Sequence, residues 1–100
     1  MMKVRNMVSS SSGREVANQF VISGDSKVIF QSYDSTICVI DHNKEGAEHI
    51  TLGRNWDYIK TTSKYLYQLL REFAGMYNLS KKTLEIAIRN KDIAYNENLC

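Results

Sequence analysis

The chain has 100 residues, of which 24% are charged and 43% hydrophobic, and its formal net charge is +2. This length supports a single domain over residues 1–100, with a hydrophobic core that needs no stabilising disulfides. The two cysteines, Cys38 in an apolar run and Cys100 at the last position, do not show the spacing of a disulfide-rich secreted domain. We therefore expect a cytoplasmic protein in which Cys38 is a core residue and Cys100 a frayed terminal thiol.

Residues 1–15 form a basic and Ser-rich segment. No apolar stretch typical of a signal peptide follows the basic N-terminus, and no run of about eighteen apolar residues could span a membrane. Ser9 to Gly13, followed by Arg14, has the composition of an anion-binding nest but lacks the spacing of a nucleotide-binding loop. We interpret this stretch as a flexible loop.

Residues 16–52 carry the signals of a β-meander. Three runs rich in Val, Ile, Phe and Tyr are separated by short Gly, Asp and Ser connections that favour hairpin turns. A polar loop over residues 42–47 precedes a shorter run that could supply a fourth strand. The predicted strands are residues 16–23, 27–33, 36–41 and 48–52.

A helix is predicted to begin at Thr61-Thr62, where a threonine can cap the first turn, and to run to about Tyr77. Its apolar residues form one stripe, which we expect to pack on the sheet. The stripe comprises Tyr65, Leu66, Leu69, Leu70, Phe73, Met76 and Tyr77, and the opposite face comprises Lys64, Tyr67, Gln68 and Arg71.

A second helix is predicted to begin after the cap residue Ser80 and to end near Asn90, so the helix pair spans residues 61–90. Leu84, Ala87 and Ile88 form its expected buried edge, and residues 93–98 can return as a last strand. The sequence thus predicts an α+β fold, in which an antiparallel sheet of three to five strands packs against two C-terminal helices.

Catalytic and metal-binding patterns are weak. His42 and His49 lie seven positions apart without a cysteine partner, and the neighbouring acids do not have ligand spacing. We interpret both histidines as solvated loop residues and predict no catalytic residue, no metal and no cofactor. The sequence therefore favours a non-enzymatic protein.

Basic charge is concentrated in the helical region, since residues 60–92 hold seven basic and three acidic side chains. Ala74, Asn78 and Ser80 stand at the spacing of a helix-turn-helix, although a helix corner packed on a sheet follows the same pattern. Ile86 is expected to be exposed among basic residues, like the centre of a small partner-binding patch. The predicted partner-binding residues are Lys64, Arg71, Lys81, Lys82, Thr83, Ile86 and Arg89.

Several short motifs carry a family resemblance over roughly residues 3–70. They are Asn18 with Phe20-Val21-Ile22, Phe30-Gln31-Ser32-Tyr33 with Ser35, Trp56-Asp57-Tyr58, and Thr61-Thr62 with Lys64-Tyr65. In them the chain resembles a family of small proteins without assigned function that phages and prophages of Gram-positive bacteria encode. Structurally, we expect Trp56 and Tyr58 to staple the sheet to the first helix and Asp57 to complement the positive end of that helix. Alternatively, the tyrosines Tyr33, Tyr58 and Tyr67 could line a binding surface.

The resemblance implies an accessory role for a phage or mobile element. It implies no catalytic residues, because none are established for the family. Our leading hypothesis is a binding protein that occupies a surface of a host protein or ribonucleoprotein, as a counter-defence inhibitor of the anti-CRISPR kind would. The alternative is a nucleic-acid-binding regulator that uses the helix-turn-helix-like pair. The sequence leaves the oligomeric state open.

Overall fold

The computed structural model describes residues 3–9 and 11–99. Its elements in chain order are strands β1 (Lys3–Val8), β2 (Glu15–Ser23), β3 (Lys27–Ser32) and β4 (Ser35–Asp41), a 3-10 helix (Gly46–His49), strand β5 (Ile50–Gly53), helices α1 (Lys60–Ala74) and α2 (Lys81–Arg89), and strand β6 (Ala94–Asn96). The expectations for the N-terminal Met1 and Met2, for Ser10 and for the Cys100 thiol lie outside the described residues.

The six strands form one sheet in the order β1-β2-β3-β4-β5-β6. The first five strands are antiparallel to their neighbours along the chain. Strand β6 is parallel to β5, because the two helices lie between them and bring the chain back to the same end of the sheet. The α+β class is confirmed, whereas the prediction of three to five antiparallel strands is wrong in strand number and in the direction of the last pair.

Strand β1 corrects the interpretation of residues 1–15 as a segment outside the sheet. It pairs with β2 from Lys3 opposite Ser23 to Val8 opposite Glu15. Ser9 and residues 11–14 lie at the tip of this hairpin, which is closed by a 2.9 Å hydrogen bond from the Ser9 amide to the Arg14 carbonyl. This strand was not predicted because basic and polar residues interrupt its hydrophobic pattern. An edge strand is ordered by pairing with its neighbour more than by its own hydrophobic pattern.

The hydrophobic core lies between one face of the sheet and α1. Val21, Phe30, Cys38 and Leu52 stand opposite one another on β2 to β5 and so share this face. All four side chains are fully buried. From α1, the buried apolar residues are Tyr65, Leu66, Leu69 and Leu70, so the central part of the predicted stripe is confirmed.

The N-terminal end of α1 differs from the prediction. The helix begins at Lys60, and Ile59 occupies the cap position without a side-chain hydrogen bond, so neither threonine is the cap. Thr62 is buried instead, and its hydroxyl hydrogen bonds to the Ser32 hydroxyl at 2.9 Å. The threonine therefore ties the first turn of α1 to the end of β3.

The C-terminal end of α1 also comes earlier than predicted. Gly75 adopts a left-handed conformation with φ 65°, and its amide donates to the Leu70 carbonyl. Glycine accepts this conformation without steric cost, so it ends the helix before Tyr77. Tyr77 consequently leaves the apolar stripe and is 68% exposed, while Phe73 and Met76 are only half-buried.

Gln68 was expected on the outer face of α1, but it is buried. Its side-chain amide donates a hydrogen bond to the Val8 carbonyl of β1. The prediction failed because β1 was not anticipated, and this edge strand offers the helix a backbone acceptor. A glutamine at the border of the stripe can satisfy that acceptor, whereas an apolar residue cannot.

Helix α2 follows the prediction closely. Ser80 caps it, accepting a hydrogen bond from the Thr83 amide, while the Thr83 hydroxyl accepts from the Ser80 amide at 2.8 Å. This reciprocal capping box satisfies two amides that have no partner within the helix. Leu84 is fully buried, and Ala87 and Ile88 pack against the core from its edge.

The two aromatic residues of the segment between β5 and α1, which were predicted to have the same role, differ in burial. Trp56 is buried in the core, as expected of a residue that links sheet and helix. Tyr58 is 79% exposed, so its predicted stapling role is wrong. Asp57 forms an ion pair with Lys81 at 3.4 Å, and thus connects this segment to the start of α2, a contact that the sequence did not indicate.

We predict that Leu69→Ala will lower the free energy of unfolding by about 2–5 kcal/mol, because it leaves a cavity between α1 and the sheet. Arg71→Ala, two positions along the same helix but exposed, is the matched control and should change it by less than about 0.5 kcal/mol. Urea unfolding followed by circular dichroism measures both. Equal, small effects would contradict the burial of the stripe.

Candidate functional site

The outer side of α1 carries a groove made of two adjoining hollows, which share Lys64 and Tyr67 in their linings. The larger hollow has a volume of about 570 Å³ and reaches the segment before α1 and the start of α2. The smaller has a volume of about 410 Å³ and reaches the connection between the helices. We call the combined feature the α1 groove. Its other lining residues are Asp57, Tyr58, Lys60, Ser63, Gln68, Arg71, Tyr77, Asn78, Leu79 and Lys81.

The floor of the α1 groove follows from helical periodicity. Lys60, Lys64, Tyr67 and Arg71 stand four, three and four positions apart, so they lie along one side of α1. This side is opposite the stripe that faces the sheet. Packing of the stripe therefore determines that the basic residues and Tyr67 face outward together.

The connection between the helices forms one wall of the groove. After Gly75, the backbone turns again at Asn78, which has a positive φ of 58°. Asparagine tolerates this left-handed conformation better than most residues. Two such positions in a short connection bring Tyr77 and Leu79 alongside Lys64 and Tyr67 of α1.

The opposite end of the groove is held by the ion pair between Asp57 and Lys81. Both residues line the larger hollow, and their 3.4 Å contact joins the segment before α1 to the first residue of α2. The Lys81 side chain is largely exposed, so the pair contributes little to stability. Its main consequence is positional, because it keeps a basic group at the mouth of the groove.

Charge and aromatic surface coincide in the α1 groove. Four basic side chains line it, from Lys60, Lys64, Arg71 and Lys81, against the single carboxylate of Asp57. Three tyrosines stand among them, and Tyr58 and Tyr77 expose most of their surface. A groove of this kind can accept anionic groups beside planar or apolar ones.

Tyr67 is the least exposed of the three groove tyrosines. Burial raises its pKa above the ordinary value, a hydrogen bond with Ser63 lowers it, the charge of Asp57 raises it and that of Lys81 lowers it. The net change is upward. The phenol therefore stays protonated at neutral pH and offers a hydrogen-bond donor to a ligand.

Three of the seven predicted partner-binding residues meet in the α1 groove, namely Lys64, Arg71 and Lys81. The other four lie on α2 outside it. Ile86 is 40% exposed, as expected, and Lys82 is exposed near it, one turn earlier. Arg89 lines a separate hollow with Trp56 and Tyr95.

Thr83 has a structural role in addition to any contact with a partner. Its hydroxyl accepts from the Ser80 amide and donates to the Ser80 carbonyl at 3.0 Å. The two helices are separated by six residues, 75–80. A helix-turn-helix joins its helices by three or four residues, so this connection is longer than the motif requires.

Sequence reasoning missed Lys60 and Tyr77 as groove residues and gave Tyr58 the wrong structural role. The sequence did indicate Lys60 as a groove residue, because it lies four positions before Lys64 and so extends the series Lys64, Tyr67 and Arg71 by one helical turn. Tyr58 and Tyr77 belong to connections, whose positions depend on where α1 begins and ends. Only the fold places them beside the helix.

His42 and His49 lie next to each other in the structure. The His42 and His49 rings meet edge to face with centroids 5.4 Å apart, and His49 Nδ1 lies 3.0 Å from the Asp41 carbonyl oxygen. Over residues 3–9 and 11–99, no three His, Cys, Asp or Glu side chains cluster as a metal site would require. In the same ranges, no helix combines the length and apolar character needed to cross a membrane.

Comparison with known proteins places the chain in a family. Residues 2–87 match the family of unknown function DUF8033. The chain belongs to the DUF8033 family. The matched region runs from β1 through α1 into α2, so it includes every residue of the α1 groove. No curated protein and no solved structure matches the chain. For this DUF8033 protein, the expected membership in a family without assigned function is confirmed, and the phage association stays a prediction.

We predict that Cys38 is unreactive in the folded protein, because burial raises its pKa to about 12 and leaves almost no thiolate. In a Cys100→Ser variant, which isolates Cys38, a thiol reagent at pH 8 should modify no thiol in buffer and one thiol in denaturant. Absorbance of the released thiolate measures this. Rapid modification in buffer would contradict the burial of Cys38.

Proposed function

We propose that the protein is a non-enzymatic binding protein that docks an acidic surface of a host protein in the α1 groove. The observation that carries this proposal is the convergence of four basic residues and three tyrosines on one groove. We expect charge attraction to bring the partner to the groove, and the tyrosine side chains to hold the bound partner in place. Carboxylates of the partner pair with the basic groups, and its apolar groups pack on the tyrosine rings.

The tyrosines support a protein partner. Tyrosine supplies a large contact area with few rotatable bonds, so it loses little conformational entropy on binding. Tyr58 and Tyr77 expose most of their surface on opposite sides of Tyr67 in the groove lining. Arg71 can add bidentate hydrogen bonds to a carboxylate. A specific complex buries about 800 Å² per partner, so the contact extends beyond the groove.

The exposed face of α2 is the natural extension of this contact. Lys82, Ile86 and Arg89 lie on exposed positions of α2, next to the Lys81 end of the groove. Together with Lys64, Arg71 and Lys81 they would form one basic surface with an apolar centre at Ile86. This surface includes six of the seven residues that we predict to bind a partner; the seventh, Thr83, belongs to the capping box of α2.

The biological role that we propose is that of a phage or mobile-element accessory protein. One feature supports it: the motifs of the chain resemble those of proteins that phages encode. An inhibitor of a defence complex needs no active site, because occupying a functional surface of the target is sufficient. We therefore propose a counter-defence role in the bacterial cytoplasm.

A second candidate is nucleic-acid binding, and the mixture of aromatic and basic groups in the same groove favours it. Bases can stack on exposed tyrosines while lysines and arginines contact phosphates, as in proteins that bind single strands. The six-residue connection between the helices makes this groove a better candidate than major-groove recognition by α2.

We predict that the double variant Lys64→Glu/Arg71→Glu will lose its host partner. The tagged protein should recover a stoichiometric partner from lysate, and calorimetry with that purified partner should show at least about tenfold weaker binding per reversed charge. Arg14→Glu/Lys44→Glu, which reverses two exposed charges outside the groove, is the matched control and should bind normally. Recovery of no partner, or full binding by the groove variant, would contradict the proposal.

Oligonucleotide-binding assays on the same protein distinguish binding of a host protein from binding of nucleic acid. Labelled single-stranded DNA and RNA oligonucleotides should show no binding stronger than about 100 μM at 150 mM salt if the ligand is a protein. Tight, steeply salt-dependent oligonucleotide binding that is lost in Tyr58→Ala/Tyr77→Ala would establish the second candidate instead.

A further inference from the structure

The face of the sheet opposite α1 is largely apolar, and in the part of the chain that the structure describes its residues keep some exposure to solvent, so we call it the uncovered face. One row of residues crosses all six strands, with each member paired to the next in the strand register. Paired residues in adjacent strands point to the same face, and this row alternates with the buried row that contains Phe30. The row comprises Val4, Ile22, Ile29, Val39, Thr51 and Ala94. Every member is half-buried or exposed, and Val4 is 65% exposed.

Two side-chain amides beside this row already donate hydrogen bonds within the chain. Asn6, Phe20 and Gln31 form the adjacent row. The Asn6 amide donates to the Val16 carbonyl at 2.9 Å, and the Gln31 amide donates to the Tyr33 carbonyl at 2.7 Å. Covering these groups would therefore not leave their donors without acceptors, which is the usual penalty for burying an amide.

Charge on the uncovered face is balanced. All six residues of the central row are uncharged. At one end of the face Lys27 stands opposite Asp41, and their side chains form an ion pair at 3.9 Å. The uncovered face therefore contrasts with the α1 groove, which has an excess of basic groups.

We propose that two copies of this chain pack with their uncovered faces together, as a twofold symmetric dimer. A twofold contact places the same surface on both sides, so the surface must complement itself. An uncharged apolar row meets its copy without electrostatic repulsion, whereas a basic surface would repel itself. Two such faces would pack about 10 Å apart, like the sheets of a β-sandwich.

The size of the face fits this occupant. Six strands about 4.8 Å apart, with rows about 3.3 Å apart along each strand, give a face of roughly 25 by 20 Å. The accessible area of a face corrugated by side chains exceeds this projected area of about 500 Å². The contact is then on the scale of the about 800 Å² per partner that stable complexes bury.

The proposed dimer is independent of the function proposed for the α1 groove. The helices lie on the other face of each sheet, so both grooves stay accessible and point away from each other. The dimer would be bivalent, which raises the apparent affinity for a target with repeated sites. Loss of the dimer would remove this gain while leaving the affinity of each groove unchanged.

Sedimentation equilibrium of the full chain between about 1 and 200 μM tests the proposal. We expect the wild type to reach twice the 11.5 kDa chain mass within this range. Ile29→Lys, at the centre of the row, should raise the dimer dissociation constant at least about 100-fold, because it buries an unpaired charge. Ile86→Lys, an equal change at an exposed isoleucine of α2, is the matched control and should stay dimeric.

Thr51→Lys provides a second variant in case Ile29→Lys does not fold, which circular dichroism will show. Thr51 is a polar, half-buried member of the row, so lysine there should be tolerated by the monomer. A monomeric wild type at 200 μM would overturn the proposal. Polymers without a discrete dimer, or folded lysine variants that remain fully dimeric, would overturn it as well.

Discussion

The arrangement of the molecule depends on the packing of one helix stripe against one face of the sheet. Leu66, Leu69 and Leu70 of α1 are fully buried over the row that contains Phe30. Hydrophobic burial of this kind is the dominant favourable term in folding. It also has two geometric consequences, because it turns the basic side of α1 outward and leaves the other face of the sheet without a helix.

Both surfaces that we propose for binding follow from this single contact, and they differ in character. The α1 groove is basic and aromatic, and suits an acidic partner. The uncovered face is apolar and balanced in charge, and suits a copy of itself. The helices cover one face of the six-stranded sheet, and the association of two copies that we propose would bury the other face.

The sequence predicted the parts of the fold that have strong local signals. The 3.6-residue period of α1 and the Ser80 cap of α2 are properties of short segments, and both were correct. Strand β1 was missed because its order comes from a neighbour, and the burial of Gln68 depends on that strand. The C-terminal end of α1 was misplaced because Gly75 outweighed the continuing apolar pattern, and its start because Ile59 occupies the cap position in place of a threonine. Tyr58 and Tyr67 were offered as possible binding-surface residues, whereas Tyr77 was assigned to the buried stripe because its position depends on where α1 ends.

The central claim is that α1 is an integral layer of the core. Amide hydrogen exchange followed by NMR tests it most directly, because exchange reports the free energy needed to expose each amide. Amides of residues 66–70 should exchange as slowly as those of β3 and β4, through global unfolding alone. Exchange in α1 that is faster by orders of magnitude, with the sheet still protected, would show that the helix detaches and would contradict the account.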